Sequence, residues 1–157
     1  MASESTSALT VPTRDRIALY AVNFFMADME AGVGPFLGVL LQRRGWSTGA
    51  IGAVITLGAI VGMLTVTPAG ALVDATTHKR ACAIVAGLGA VAAAAVILTS
   101  RQFWVIAGAQ AVMCISGATI APALIGITLG LVGQARFTSQ NGRNQANNHA
   151  GNMAGPL

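Results

Sequence analysis

Three stretches of this chain, Gly45–Val73, Ala81–Ser100 and Gln102–Ala135, contain no charged residue at all. Each matches or exceeds the ~20 apolar residues that carry a helix across a hydrocarbon core about 30 Å thick. A fourth stretch, Ile17–Leu41, is long enough but carries Asp28 and Glu30. Only 9% of the whole chain is charged and 54% is hydrophobic, whereas a soluble domain carries roughly a quarter charged residues. Lipid admits only helices and closed barrels, because both satisfy their own backbone groups. Barrel strands alternate apolar and polar positions over about ten residues, and Ala81–Ser100 is almost uninterrupted Ala, Val, Leu, Ile and Gly. The expected class is an all-α integral membrane protein.

The sequence predicts membrane helices at about 17–41, 48–73, 81–99 and 103–132, with a fifth starting at about 149. Residues 1–16 are expected to form a cytoplasmic polar tail. Residues 17–157 are expected to form part of a larger helical domain, since the apolar segment opening at His149 has barely begun at Leu157. Gln42–Ser47 reads as a short polar loop, and the Asn- and Gln-rich run Gly133–Asn148 as a solvated connection. Gly32, Gly34 and Pro35 should loosen the first span, because proline removes a backbone donor and crowds the preceding turn. Gly58 with Gly62, and Ala86 with Ala90 and Ala94, sit at the four-residue spacing that lets helices approach closely.

The sequence pI near 10.1 does not mark a nucleic-acid surface, because the basic residues lie in the connections between spans. With a cytoplasmic N-terminus, Arg14, Arg16, Lys79, Arg80, Arg136 and Arg143 fall inside and Arg43, Arg44 and Arg101 outside, the asymmetry of the positive-inside rule. Cys82 and Cys114 lie in predicted spans without metal-ligand spacing, and His78 and His149 have no partner ligands nearby in sequence. Neither a metal site nor a cofactor is expected. No Ser-His, His-Glu or paired-Asp arrangement has catalytic spacing, so an enzyme is not expected either.

Asp28 and Glu30 are the chemically pointed residues of the first span. A carboxylate at a helix centre costs about 2.5 to 3.5 kcal/mol on insertion scales, so two cost roughly 5 to 7. The eleven Leu, Ile, Phe and Val residues of Ile17–Leu41 return about 3 to 7 on the same scale. A helix balanced so near zero needs its acids to face water or a partner. At 100° per residue the two point about 160° apart. Glu30 shares a face with Tyr20, Asn23, Ala27 and Gly34, a small and polar stripe suited to lining a pathway. Asp28 shares its face with Phe24, Ala31 and Pro35. Asn23, Asp28 and Glu30 are therefore the candidates for a substrate or proton pathway.

The second candidate is the hinge Gly70–Arg80, GALVDATTHKR, set between two spans. Gly70 and Asp74 could end one helix and Thr76 or Thr77 cap the next. Lys79 and Arg80 would then lie in a helix first turn, where cations are mildly disfavoured, so some other interaction must place them there. This segment resembles the loop signature of the major facilitator superfamily, Gly-x-Leu-Ala-Asp-Arg-x-Gly-Arg-Lys, between its second and third spans. Gly70, Leu72, Asp74 and Lys79 match in place, and Val73 is a conservative change. Ala75, Thr77 and His78 replace an arginine, a glycine and an arginine, and Arg80 lies one position beyond. The Asn-containing first span, the outer Gly-x-Gly-Pro and Gly142–Asn144 are similar to one bacterial branch of that superfamily.

The resemblance implies a helical bundle of which this is the N-terminal part, moving a small solute across the cell membrane by alternating access. It implies a multi-pass protein with the N-terminus in the cytoplasm. Its partners would be a small-molecule substrate, a proton, the lipid bilayer and the C-terminal helices of the transporter, with no nucleic acid. It makes Gly70, Leu72, Asp74, Lys79 and Arg80 a cytoplasmic gating loop that latches two halves and favours the outward-open state. The arginine of the family's Arg-x-x-Gln-Gly pattern is missing from the fourth span, where Gln110 is the strongly polar residue. That departs from the proton-driven drug exporters and leaves proton coupling to Asp28 or Glu30. The competing expectation is a small four-span membrane subunit that oligomerises through its Gly and Ala faces.

Overall fold

The computed structural model describes residues 13–154. The predicted tail up to residue 12 lies outside the described residues, as do the side chains at 15–16 and 28–35. The described chain is five helices, α1 (Thr13–Arg43), α2 (Thr48–Ala75), α3 (Lys79–Thr99), α4 (Phe103–Val132) and α5 (Gln134–Ala154). Three of them, α2, α3 and α4, are long and apolar enough to cross a membrane. The backbone of α1 stays helical through Gly32–Pro35.

The connections are tight and chemically explicit. Gly45 has a φ of +82°, a left-handed conformation that only glycine adopts at little cost. The Gly45 N–H donates to the Gln42 carbonyl at 3.0 Å and the Trp46 N–H to the Leu41 carbonyl at 3.1 Å. This is the Schellman pattern, and it is completed by an apolar contact from the residue after the glycine. Trp46 supplies that contact by packing on the core that contains fully buried Leu41. Ser47 then caps α2, its hydroxyl accepting from the Ala50 N–H at 3.3 Å.

The core lies at this end of the bundle, where Leu37 and Leu41 of α1, Val54 of α2, Ala93 and Ile97 of α3 and Ile106 of α4 meet. Trp46 stacks on Phe103 with centroids 5.8 Å apart. Along the rest of its length α4 packs between α2 and α3, and α1 packs along α5. Gly58 and Gly62 form the close-approach face on α2. A Cβ at Gly58 would lie 2.7 Å from Gln110 Cγ, and one at Gly62 would lie 3.3 Å from Cys114 Cβ.

On α3 the buried stripe is Ala86, Ala90, Ala93 and Ile97. The expected Ala94 is only half-buried, because the contact face shifts by one residue to follow the 3.6-residue helical turn. Met63, Leu64, Leu72, Ile84, Val85, Leu88 and Trp104 are all more than half exposed. A soluble monomer rarely exposes an apolar patch beyond a few hundred Å², so this outer surface belongs in lipid.

The predicted connection Gly133–Asn148 is the main correction. Only Gly133, with φ +68° and its N–H on the Leu129 carbonyl at 2.9 Å, forms a turn. The fifth helix begins at Gln134 rather than near His149.

Candidate functional site

Asn is a poor helix former because its amide competes for nearby backbone groups. In α5 the buried amides are occupied elsewhere. Gln140 Nε2 donates to Asn144 Oδ1 at 3.1 Å, and Asn144 Nδ2 donates to Thr128 Oγ1 of α4 at 3.0 Å. Thr128, fully buried, passes its own proton to the Leu124 carbonyl at 2.8 Å. Gln140, Asn144 and Gly151 are the buried positions of α5, spaced so that all three share one helical face. Gly151 sits so close to α1 that a Cβ there would overlap the Phe24 carbonyl.

This docking brings α5 against Asn23, which is 8% exposed and donates through Nδ2 to the Leu19 carbonyl at 2.8 Å. Asn23, Thr128, Asn141, Asn144, Gln145 and Asn148 line a cavity of about 80 Å³ between α1, α4 and α5. No charged residue lines it. Asn23 was legible as a pathway residue from its span. Its amide neighbours were not, because the run 134–148 read as loop. The signal was present in the spacing of Gln140, Asn144 and Gly151. The side chains of Asp28 and Glu30 lie outside the described residues.

The opposite side of α5 is exposed and polar, with Thr138, Arg143, Gln145, His149 and Asn152. Helices polar on more than one face border solvent or join domains.

The hinge gives a physical reason for its cation. Lys79 Nζ donates to the Val73 carbonyl at 2.8 Å and lies 4.0 Å from Asp74 Oδ1. The lysine opening α3 thus serves the carbonyl-rich end of α2, where positive charge is favoured. Its stem crosses Gly126 of α4, where a Cβ would stand 2.6 Å from Lys79 Cδ. The residue capping α3 is His78, not Thr76 or Thr77, and it makes no side-chain cap bond. Thr76 Oγ1 instead accepts from the His78 N–H at 3.3 Å. Leu72 is 66% exposed, and a Cβ on Gly70 would meet nothing within 4 Å. Arg80 is exposed and borders an apolar groove of about 620 Å³ between α1 and α3.

Arg44 was not singled out in the sequence. Its guanidinium donates to the carbonyls of Ile97 at 2.8 Å, Leu98 at 2.5 Å and Ser100 at 2.6 Å. It closes the C-terminus of α3 from the α1–α2 connection, so its position follows from this contact.

Residues 16–143 match the family described as MFS_1 like. The chain belongs to the MFS_1-like family. Two curated relatives, each named an uncharacterized MFS-type transporter, come from Mycobacterium tuberculosis strains CDC 1551 / Oshkosh and ATCC 25618 / H37Rv. Each is 44% identical over 152 residues, which is 96% of this chain and 36% of the relative. This MFS_1-like chain thus spans just over a third of their length. No solved structure matches it. The family and the lipid-facing helices together make it a multi-pass membrane protein of the transporter class.

Proposed function

We propose that the chain forms the N-terminal part of a secondary active transporter of the major facilitator type. The observation that carries this reading is α5, a helix anchored by buried amides whose other side is also polar. In a membrane, such a face is stable only where it borders a water-filled path or a second polar surface. Alternating access between two halves supplies both. The helix pairing agrees: α1 packs on α5 as α4 packs on α2, the exchange that inverted three-helix repeats produce. The oligomerising-subunit reading loses its surface, since Gly58 and Gly62 are covered by Gln110 and Cys114 of the same chain.

In this reading the transporter lies in the cell membrane with a cytoplasmic N-terminus. Arg44, the cation that weakened the charge asymmetry, is outside for a structural reason. Asn23, Asp28 and Glu30 line the path of a small solute, and one of the two acids carries the coupling proton. Gly70, Leu72, Asp74, Lys79 and Arg80 form the cytoplasmic gate. The open space at Gly70 and the 81% exposed Asp74 side chain leave the loop free to meet the facing half.

The test is proton movement in proteoliposomes of the complete transporter, followed with a trapped pH dye. A panel of sugars, polyols, amino acids and organic acids is supplied outside. Glu30→Gln or Asp28→Asn should lower the solute-driven proton flux at least tenfold. Full flux in both variants would remove the acids from the mechanism.

A further inference from the structure

We propose that the amide cavity between α1, α4 and α5 binds a neutral, hydroxyl-rich solute, a polyol or sugar, by one hydroxylated end. The inference rests on the transporter reading and narrows its substrate class.

The lining decides the charge. Asn23, Thr128, Asn141, Asn144, Gln145 and Asn148 offer amide and hydroxyl groups with no ionic side chain among them. An ion entering this cavity would lose hydration without meeting an opposite charge, which is strongly unfavourable. A neutral solute loses only hydrogen bonds to water, and amides replace these in kind. Each amide presents a donor NH₂ beside an acceptor oxygen. Each hydroxyl likewise donates and accepts, so adjacent hydroxyls pair with one amide through both groups.

The same cluster separates structural from available amides. Gln140 and Asn144 are committed to each other and to Thr128, which is interhelical adhesion. Asn141 and Gln145 line the cavity yet make no side-chain hydrogen bond among the described residues. Their placement one turn apart puts them on one side of α5. Two amides at a cavity wall with no role in holding the helices are free to bind something else.

Size sets the mode. About 80 Å³ corresponds to two or three waters at ~30 Å³ each. That accommodates a hydroxymethyl end or a pair of adjacent hydroxyls, and not a whole hexose. The rest of the solute would lie along the open polar side of α5.

Equilibrium binding of radiolabelled glycerol, sorbitol and D-glucose to the complete transporter tests this, with gluconate and glucosamine as anionic and cationic counterparts. Saturable binding separates a site from the general stabilising effect of polyols on proteins. The expected result is half-saturation by sorbitol or glucose at a concentration at least tenfold below that of either charged analogue. Asn141→Leu and Gln145→Leu should each raise it tenfold or more while leaving the melting temperature unchanged. Tighter binding of a charged analogue would overturn the substrate class and leave the transporter reading standing. Absence of saturable binding by every neutral probe would overturn it too, as would unchanged binding in both variants. The transporter reading itself is decided separately, by water access to α5.

Discussion

Replacing Gly151 with leucine should detach α5 from α1 and leave little folded protein. The Cβ that any other residue adds would overlap the Phe24 carbonyl, with Ala27 Cβ 3.1 Å away on the other side. The obstacle is backbone, so no rotamer change relieves it, and the helices must move apart. Overpacking a close contact typically costs 1 to 3 kcal/mol even where side chains can yield. Gly151→Ala should therefore already cost about 2 to 3 kcal/mol, and Gly151→Leu more. Separation would also open the cavity that Asn23, Asn144 and Asn148 line together. The check is thermal unfolding in detergent, with Ala150→Leu on the exposed side of α5 as control. A Gly151→Leu protein melting within a degree of the parent would show that this contact is not required.

The second large effect is expected at Arg44. One guanidinium holds three carbonyls at the end of α3. Hydrogen bonds to a charged group are worth about 1.5 to 3 kcal/mol when well buried, and a cation at a helix C-terminus adds up to about 2 in partly buried geometry. These bonds are part-buried to exposed and share one side chain, so their sum is discounted. Arg44→Ala should cost about 2 to 4 kcal/mol. Arg44→Lys keeps the charge but not the planar fork, and should recover about half. The neighbouring Arg43 is exposed and makes no such bond among the described residues, so Arg43→Ala should change stability by less than about 0.5 kcal/mol. Equal melting temperatures for the Arg43 and Arg44 variants would contradict the clamp.

These two positions also show what the sequence could and could not convey. The apolar spans were legible because a membrane demands long uncharged runs, and that demand is local in sequence. Gly58 and Gly62 were legible for the same reason, since close helix approach requires small residues at a fixed spacing. Helix α5 was hidden because its stability is not local. Its amides disfavour helix until Thr128 and the backbone of α1 are in place to receive them. Arg44 was hidden because its partners lie more than fifty residues away in the chain. Lys79 stood between the two cases. Its oddity at the start of α3 was visible, and the Val73 carbonyl that explains it required the turn to be built.

Of the predicted site, Asn23 falls beside the amide cluster, while the acids two turns further along α1 carry an expectation the described side chains do not reach. The hinge is formed as a structural unit, with Lys79 spanning α2 and α4. An exposed ion pair is worth at most about 1 kcal/mol. Asp74, four-fifths exposed and 4.0 Å from Lys79, therefore contributes little to folding, which leaves a gating contact as its proposed role.

The central claim is that the exposed side of α5 borders a water-filled path that opens to each membrane face in turn. His149 lies near the middle of that side, about 22 Å from the start of the helix at 1.5 Å per residue. The decisive measurement is labelling of a His149→Cys variant of the complete transporter, with Cys82 and Cys114 replaced by serine, by a membrane-impermeant maleimide applied to either face. Labelling from both faces is expected, and Asp74→Asn should shift it several-fold towards the cytoplasmic face. A position protected from both faces, with and without Asp74→Asn, would mean that α5 lies against lipid or protein and that no such path exists.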